Sequence, residues 1–69
     1  MNIKEKIGKR IKELRTKADL TQMELAGRAS LDRTYINSVE NGKRNISITN
    51  IEKIANALNI NISALFESI

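Results

Sequence analysis

Residues 21–42, TQMELAGRASLDRTYINSVENG, constrain the chain more than any other stretch. They hold two short helical patterns separated by a tight turn. Small and apolar residues, Leu25, Ala26, Ala29, Leu31, Ile36 and Val39, fall where two crossing helices must touch. The second pattern leaves Arg33, Thr34, Tyr35, Asn37 and Ser38 facing outward. Four of these five hydrogen-bond without being ionised, and the fifth, arginine, is the commonest partner of guanine. Two packed helices, the second with a polar outer face, are what a helix-turn-helix motif requires.

The rest of the chain has little beyond aliphatic packing to hold it together. Sixty-nine residues is near the lower limit for folding without cross-links or metals. No cysteine or histidine is present, so disulfides, zinc fingers and thiol or imidazole catalysis are excluded. Paired carboxylates in a cleft pattern and a Gly-rich phosphate loop are also missing, and the expectation is that the chain is not an enzyme and uses no cofactor. The net charge of +4 suits a polyanionic partner. No apolar run approaches the roughly 20 residues that span a bilayer. The first six residues lack a signal-peptide apolar block. A cytoplasmic location without membrane contact is therefore expected.

Spacing predicts five helices in one domain over residues 1–69, an all-α fold. In the first, roughly 3–17, Ile3, Ile7, Ile11, Leu14 and Ala18 form one apolar stripe. Glu5 with Lys9 and Glu13 with Lys17 stand four residues apart on its wet face. Gly8 interrupts the stripe, which predicts a neighbouring backbone pressed close against it. Thr21 and Glu24 have the spacing of a capping box that opens the second helix. Ser30-Leu31 forms the turn, Asp32 caps the third helix, and Asn41-Gly42 stops it, with Gly42 left-handed. The motif thus occupies about 22–41. Ser47 caps a fourth helix whose predicted buried stripe is Ile48, Ile51, Ile54, Ala55 and Leu58. Asn59 ends that helix, and Asn61 opens a short fifth one. These C-terminal helices, about 48–67, supply core and dimer contacts.

The chain resembles the lambda-repressor-like, or Xre-type, helix-turn-helix family. Leu20-Thr21-Gln22, Glu24-Leu25-Ala26, Tyr35-Ile36, Val39 to Arg44 and Ala64-Leu65-Phe66 carry the resemblance, which runs from Ile7 to Phe66. Ser30 departs from it, standing where the family turn usually has glycine; a left-handed backbone at Ser30 would reconcile the two. Length and texture further resemble the controller proteins of restriction–modification systems. That similarity implies a homodimeric, sequence-specific regulator acting on its own promoter at a pseudo-palindromic operator in double-stranded DNA. RNA polymerase is a further candidate partner. Small phage or mobile-element repressors and antitoxins are the alternative within the fold. A protein-interaction module without DNA binding is the alternative outside it.

The resemblance implies roles for particular residues. Arg33, Thr34, Asn37 and Ser38 would point towards the major groove, with Tyr35 able to reach backbone or base. Gln22 would meet a phosphate at the start of the second helix. Lys43, Arg44 and Asn45, just after the third helix, are expected along the DNA backbone. Arg15 and Glu40 fall where the family has a partly buried ion pair. Ile62, Phe66 and Ile69 exceed what a small core consumes and are the candidate dimer patch.

Overall fold

The computed structural model describes residues 1–67 and 69, and in these residues five helices follow one another with no strand between them. They are α1 (Ile3–Lys17), α2 (Gln22–Ala29), α3 (Arg33–Glu40), α4 (Ile48–Ala57) and α5 (Ile62–Leu65). Each boundary has a local cause. Asn2 and Glu5 form a reciprocal capping box at the start of α1, and Thr21 and Glu24 form another at α2. The two hydrogen bonds from Thr21, backbone first and hydroxyl second, hold the Glu24 carboxyl below the usual carboxylate range. This end of α2 is therefore fixed at neutral pH and loosened as acid protonates that carboxyl. The Ser47 hydroxyl accepts from the Asn50 N–H at α4. Asp32 and Asn61 stand at the expected N-cap positions, but neither side chain makes the capping hydrogen bond.

Four helices end in the same way. Asp19, Ser30, Gly42 and Asn59 adopt left-handed backbone with φ of 61°, 56°, 72° and 60°. In each case the next residue's N–H bonds a carbonyl five residues back: Leu20 to Arg15, Leu31 to Ala26, Lys43 to Ser38 and Ile60 to Ala55. Ser30 thus takes the left-handed turn conformation expected of it. At Gly42 glycine is required twice, because a Cβ would also press on the Cγ of Glu5 at 2.8 Å.

The core gathers Ile7 and Ile11 of α1, Leu25, Ala26 and Ala29 of α2, and Ile36 and Val39 of α3. Ile51, Ile54 and Leu58 close it from the α4 side and Leu65 from α5, with Leu20 buried between α1 and α2. All six residues assigned to the α2–α3 contact lie in or against this core; Leu31 is half-buried and the other five are buried. Two stripes run out earlier than their periodicity implies. Ile3 and Ile48, each the first residue of its helix, are 59% and 74% exposed, and Ala18 lies past the end of α1 on the surface. Among the described residues neither Glu5–Lys9 nor Glu13–Lys17 closes as an ion pair; Glu5 is taken by its capping box.

Gly8 is where α1 crosses α3. A Cβ there would overlap the Val39 carbonyl oxygen and crowd that of Glu40. Both obstacles are backbone, so no side chain can rotate away. Gly8→Ala is expected to cost about 1–3 kcal/mol through overpacking, despite a helix-propensity gain of about 1 kcal/mol. Thermal denaturation measures the balance, and a raised Tm would mean that the two helices can part at no cost.

Candidate nucleic-acid interface

A polar chain under α3 fixes it to the body of the molecule. Arg15 Nε and Nη2 donate to the two Glu40 oxygens at 2.6 and 3.0 Å, while Nη1 donates to the Leu20 carbonyl at 2.7 Å. The Glu40 side chain is 2% exposed and that of Arg15 11%. The hydrogen bond to Glu40 raises the arginine's pKa further, outweighing its burial. The expected ion pair is thus present, and it links the last residue of α3 to α1.

The link continues outward. Gln22 Nε2 donates to Glu40 Oε1 at 3.0 Å, Asn37 Nδ2 donates to Gln22 Oε1 at 3.2 Å, and Asn41 Nδ2 donates to Asn37 Oδ1 at 3.1 Å. Gln22, expected to meet a phosphate, therefore has both ends of its amide engaged within the protein. No sequence pattern signals this connection, because Gln22 and Asn37 are joined only by the fold. One Nε2 proton of Gln22 remains, as do the unpaired N–H groups of the first turn of α2.

On the outer face of α3, Arg33, Thr34 and Asn37 are exposed and together line a shallow depression of about 260 Å³. Arg33 forms no ion pair among the described residues, with Asp32 or any other acid. Ser38 is half-buried, further round the helix. Tyr35 is half-buried against the core, and the Arg44 guanidinium lies over its ring, 5.0 Å from the centroid. At an exposed site such a contact contributes about 0.5–1 kcal/mol and steers the arginine towards α3. Lys43, Arg44 and Asn45 lie on the loop that leaves the C-terminal end of α3, and all three reach solvent. Eight helical residues span about 12 Å, close to the width of the major groove.

At the opposite end of the sequence, Ile62 and Phe66 are 38% and 39% exposed. Phe66 borders a groove of about 160 Å³ with Ile3, Ile7, Ile46 and Ile51. Ile69 is half-buried against the core and borders a separate depression beside Lys6, Lys9 and Arg10. The three residues expected to form one patch therefore do not share one concavity. The surface beside Phe66 instead includes Ile3, which periodicity assigns to the interior. Arg10 is not free on the lysine-rich face of α1 either: its Nη2 donates to the Ala64 carbonyl at 2.9 Å and joins α1 to α5.

Among the described residues no group of His, Cys, Asp or Glu is arranged to hold a metal ion, and no helix is long and apolar enough to cross a membrane. Residues 11–65 match the protein family described as Helix-turn-helix. The control protein C.MunI of a Mycoplasma species is 49% identical over 69 residues, covering 99% of this chain and 93% of that protein. The control protein C.BamHI of Bacillus amyloliquefaciens is 42% identical over 60 residues, 86% of this chain and 74% of that protein. The crystal structure of the restriction-modification controller protein C.AhdI from Aeromonas hydrophila matches with a TM-score of 0.90 at 48% identity, covering 91% of this chain and 96% of the other.

Proposed function

The chain belongs to the helix-turn-helix family, and from that premise we propose that it is a sequence-specific DNA-binding regulator, a homodimer controlling its own restriction–modification operon. The observation that carries DNA binding is the outer face of α3. Arg33, Thr34 and Asn37 line one exposed depression, on a helix fixed from beneath by a buried ion pair. A rigid helix with arginine and amide side chains on its free face is suited to base edges. Arg33 takes guanine O6 and N7, with Thr34, Asn37 and Ser38 along the groove and Tyr35 at its margin. Lys43, Arg44, Asn45 and the α2 N-terminus at Gln22 take phosphates. The operon assignment rests on similarity to control proteins along almost the whole chain. Those relatives carry the names of regulators rather than enzymes, and this chain is read likewise. RNA polymerase is the partner through which the bound dimer would change transcription, in the cytoplasm.

The test is selection of an operator from a random duplex library, followed by titration of the selected and a scrambled duplex. Arg33→Ala should weaken operator binding by about 1–3 kcal/mol for each guanine that the arginine reads, and relax the choice at one position per half-site. Scrambled-duplex affinity should fall far less. Equal weakening on both duplexes would reassign Arg33 to a phosphate. Failure of the wild type to prefer any sequence would overturn the reading.

The size of one copy supports the dimeric reading. The longest dimension is 27 Å, whereas successive major grooves on one face of DNA lie about 34–36 Å apart. One copy therefore reads one groove, and two copies about a two-fold axis read a pseudo-palindrome. Ile62, Phe66 and Ile69 are the proposed contact, with Ile69 bordering a depression of its own. Phe66→Glu places a charge in that patch and should give a folded monomer with much weaker operator binding, as sedimentation will reveal. A variant that stays dimeric would move the interface elsewhere, with the exposed Ile48 on α4 the next face to mutate.

A further inference from the structure

We propose that Asn41-Gly42 is a self-modification site, at which the asparagine amide is lost spontaneously to give aspartate and isoaspartate, and that this change switches off DNA binding by the copy that carries it. The site itself rests on sequence and geometry; only its consequence rests on the proposed function. Of the eight asparagines, five precede isoleucine, whose branched side chain shields the next amide nitrogen, while Asn37 and Asn56 precede serine and alanine. Asn41 alone precedes glycine, which leaves that nitrogen uncovered. The fold keeps glycine there, because position 42 is left-handed at φ 72° and a Cβ would meet Glu5 Cγ at 2.8 Å. Asn41 is exposed, so water and hydroxide reach it. Hydroxide takes the Gly42 N–H proton and the nitrogen attacks Asn41 Cγ. The N–Cγ bond forms, the Cγ–Nδ2 bond breaks, and Nδ2 leaves as ammonia with a proton from water. Water then opens the resulting cyclic imide at either carbonyl. Breaking the bond from nitrogen to Cγ leaves aspartate, and breaking the bond to the main-chain carbonyl carbon leaves isoaspartate. One water is consumed and one ammonia released, with nothing oxidised or reduced.

The folded chain holds the reaction back without abolishing it. At Asn41 ψ is 4°, which turns the Gly42 nitrogen away from the asparagine side chain. That nitrogen also donates to the Val39 carbonyl at 3.0 Å, and Asn41 Nδ2 donates to Asn37 Oδ1 at 3.1 Å. Ring closure requires both bonds to break and the backbone to rotate. These bonds lie at the end of α3, and a helix end opens far more often than a whole domain. The reaction therefore proceeds at the open-chain rate multiplied by the fraction of time this end is open. DNA held by Lys43 and Arg44 would lower that fraction, so the site counts time spent off the operator. Conversion alters the loop that follows in two ways. A carboxylate appears beside Lys43 and Arg44 and takes one unit from the positive charge of each copy. In the isoaspartate product the main chain also gains one carbon ahead of Gly42, so the Lys43 N–H loses its register with the Ser38 carbonyl, which it meets at 3.0 Å. Both changes act on phosphate contacts.

The experiment ages the full chain in mildly alkaline buffer and locates the products by peptide mapping that separates aspartate from isoaspartate. In urea-unfolded chain, position 41 should convert ahead of every other asparagine. In native protein the same position should convert roughly tenfold more slowly or less, faster in urea below the unfolding transition and slower with the operator duplex bound. Asn41→Gln should stay unconverted, since the longer side chain closes the corresponding ring poorly. The converted fraction, separated by ion exchange, should keep its helical circular dichroism and bind operator and scrambled duplex about tenfold or more weakly. Asn41→Asp should reproduce the charge part of that loss. Native protein that stays intact at 41 over many times the period in which the unfolded chain converts completely would overturn the site, as would conversion spread evenly over all the asparagines. A converted fraction that binds like fresh protein, or that has lost its helices, would overturn the switch. Fresh protein that binds no DNA would overturn the proposed function and the switch together, while the mapping would still decide whether position 41 is modified.

Discussion

Glu40→Ala is expected to destabilise the fold by about 3–5 kcal/mol, read from a chemical denaturation curve. The effect arises mainly from what is left behind. Arg15 keeps the Leu20 carbonyl as a partner, but Nε and Nη2 are deprived of both carboxylate oxygens in a side chain only 11% exposed. Gln22 Nε2 is deprived of its acceptor in the same step. A domain of this size has a total stability of roughly 3–10 kcal/mol, so this one change removes much of it. The pair as a whole is a different quantity, since burying two ions sets desolvation against their attraction. Arg15→Met removes the stranded charge while filling similar space, so Glu40→Ala with Arg15→Met should recover part of the stability. Strictly additive single effects in that cycle would mean that the ion pair, although formed, couples the two residues by nothing measurable.

The structural part of the motif is legible in the sequence because its determinants are local. Thr21 and Glu24 find each other within one turn, Gly42 ends α3 by its own backbone freedom, and Ser47 caps the residue three ahead. Gly8 is legible for a related reason: a glycine inside an apolar stripe has few uses other than close approach, and the Val39 carbonyl is what approaches. Ile3 and Ile48 are not. Periodicity identifies the face of a helix that is apolar but says nothing of how far the neighbouring helix extends along it. Both residues sit on the first turn of their helix, beyond the packed partner. The left-handed backbone at Asp19 is equally hidden, because aspartate carries a weaker signal for that conformation than glycine does.

The interface is legible in its inventory and less so in its connections. Residue type and position single out Arg33, Thr34 and Asn37, and the fold brings these three to one depression. Whether a polar residue is free or already engaged depends on contacts between elements, and these leave no local pattern. Gln22 is tied to residues 15 and 18 positions away, and Arg44 is drawn over Tyr35 rather than standing clear. Each of these links reduces the freedom of a side chain before DNA arrives. Less side-chain entropy is then given up on binding, which favours affinity and a defined register.

Operator affinity should fall by about 10³–10⁵ between 50 and 200 mM salt if the dimer neutralises about 6–10 phosphates. Lys43 and Arg44 supply four of these charges in the dimer. The others must come from further lysine or arginine side chains, because the neutral Gln22 and Asn45 amides contact phosphate without neutralising it. Lys43 and Arg44 lie on the loop leaving α3, and with α3 docked in a groove as proposed they would stand beside its flanking strands. The corresponding slope of log affinity against log salt is roughly −5 to −9. Lys43→Ala should flatten it by about two, because each substitution occurs twice in a dimer and each phosphate contact accounts for about 0.9. Its effect should be nearly the same on operator and scrambled duplex, since phosphates carry no direct sequence information. Arg44→Ala should flatten the slope similarly but also disturb sequence choice, because its guanidinium supports the Tyr35 ring beside the reading face. The two variants therefore separate charge from positioning at neighbouring residues. A wild-type slope near zero would remove the phosphate contacts and the DNA-binding reading with them, whatever the shape of the fold.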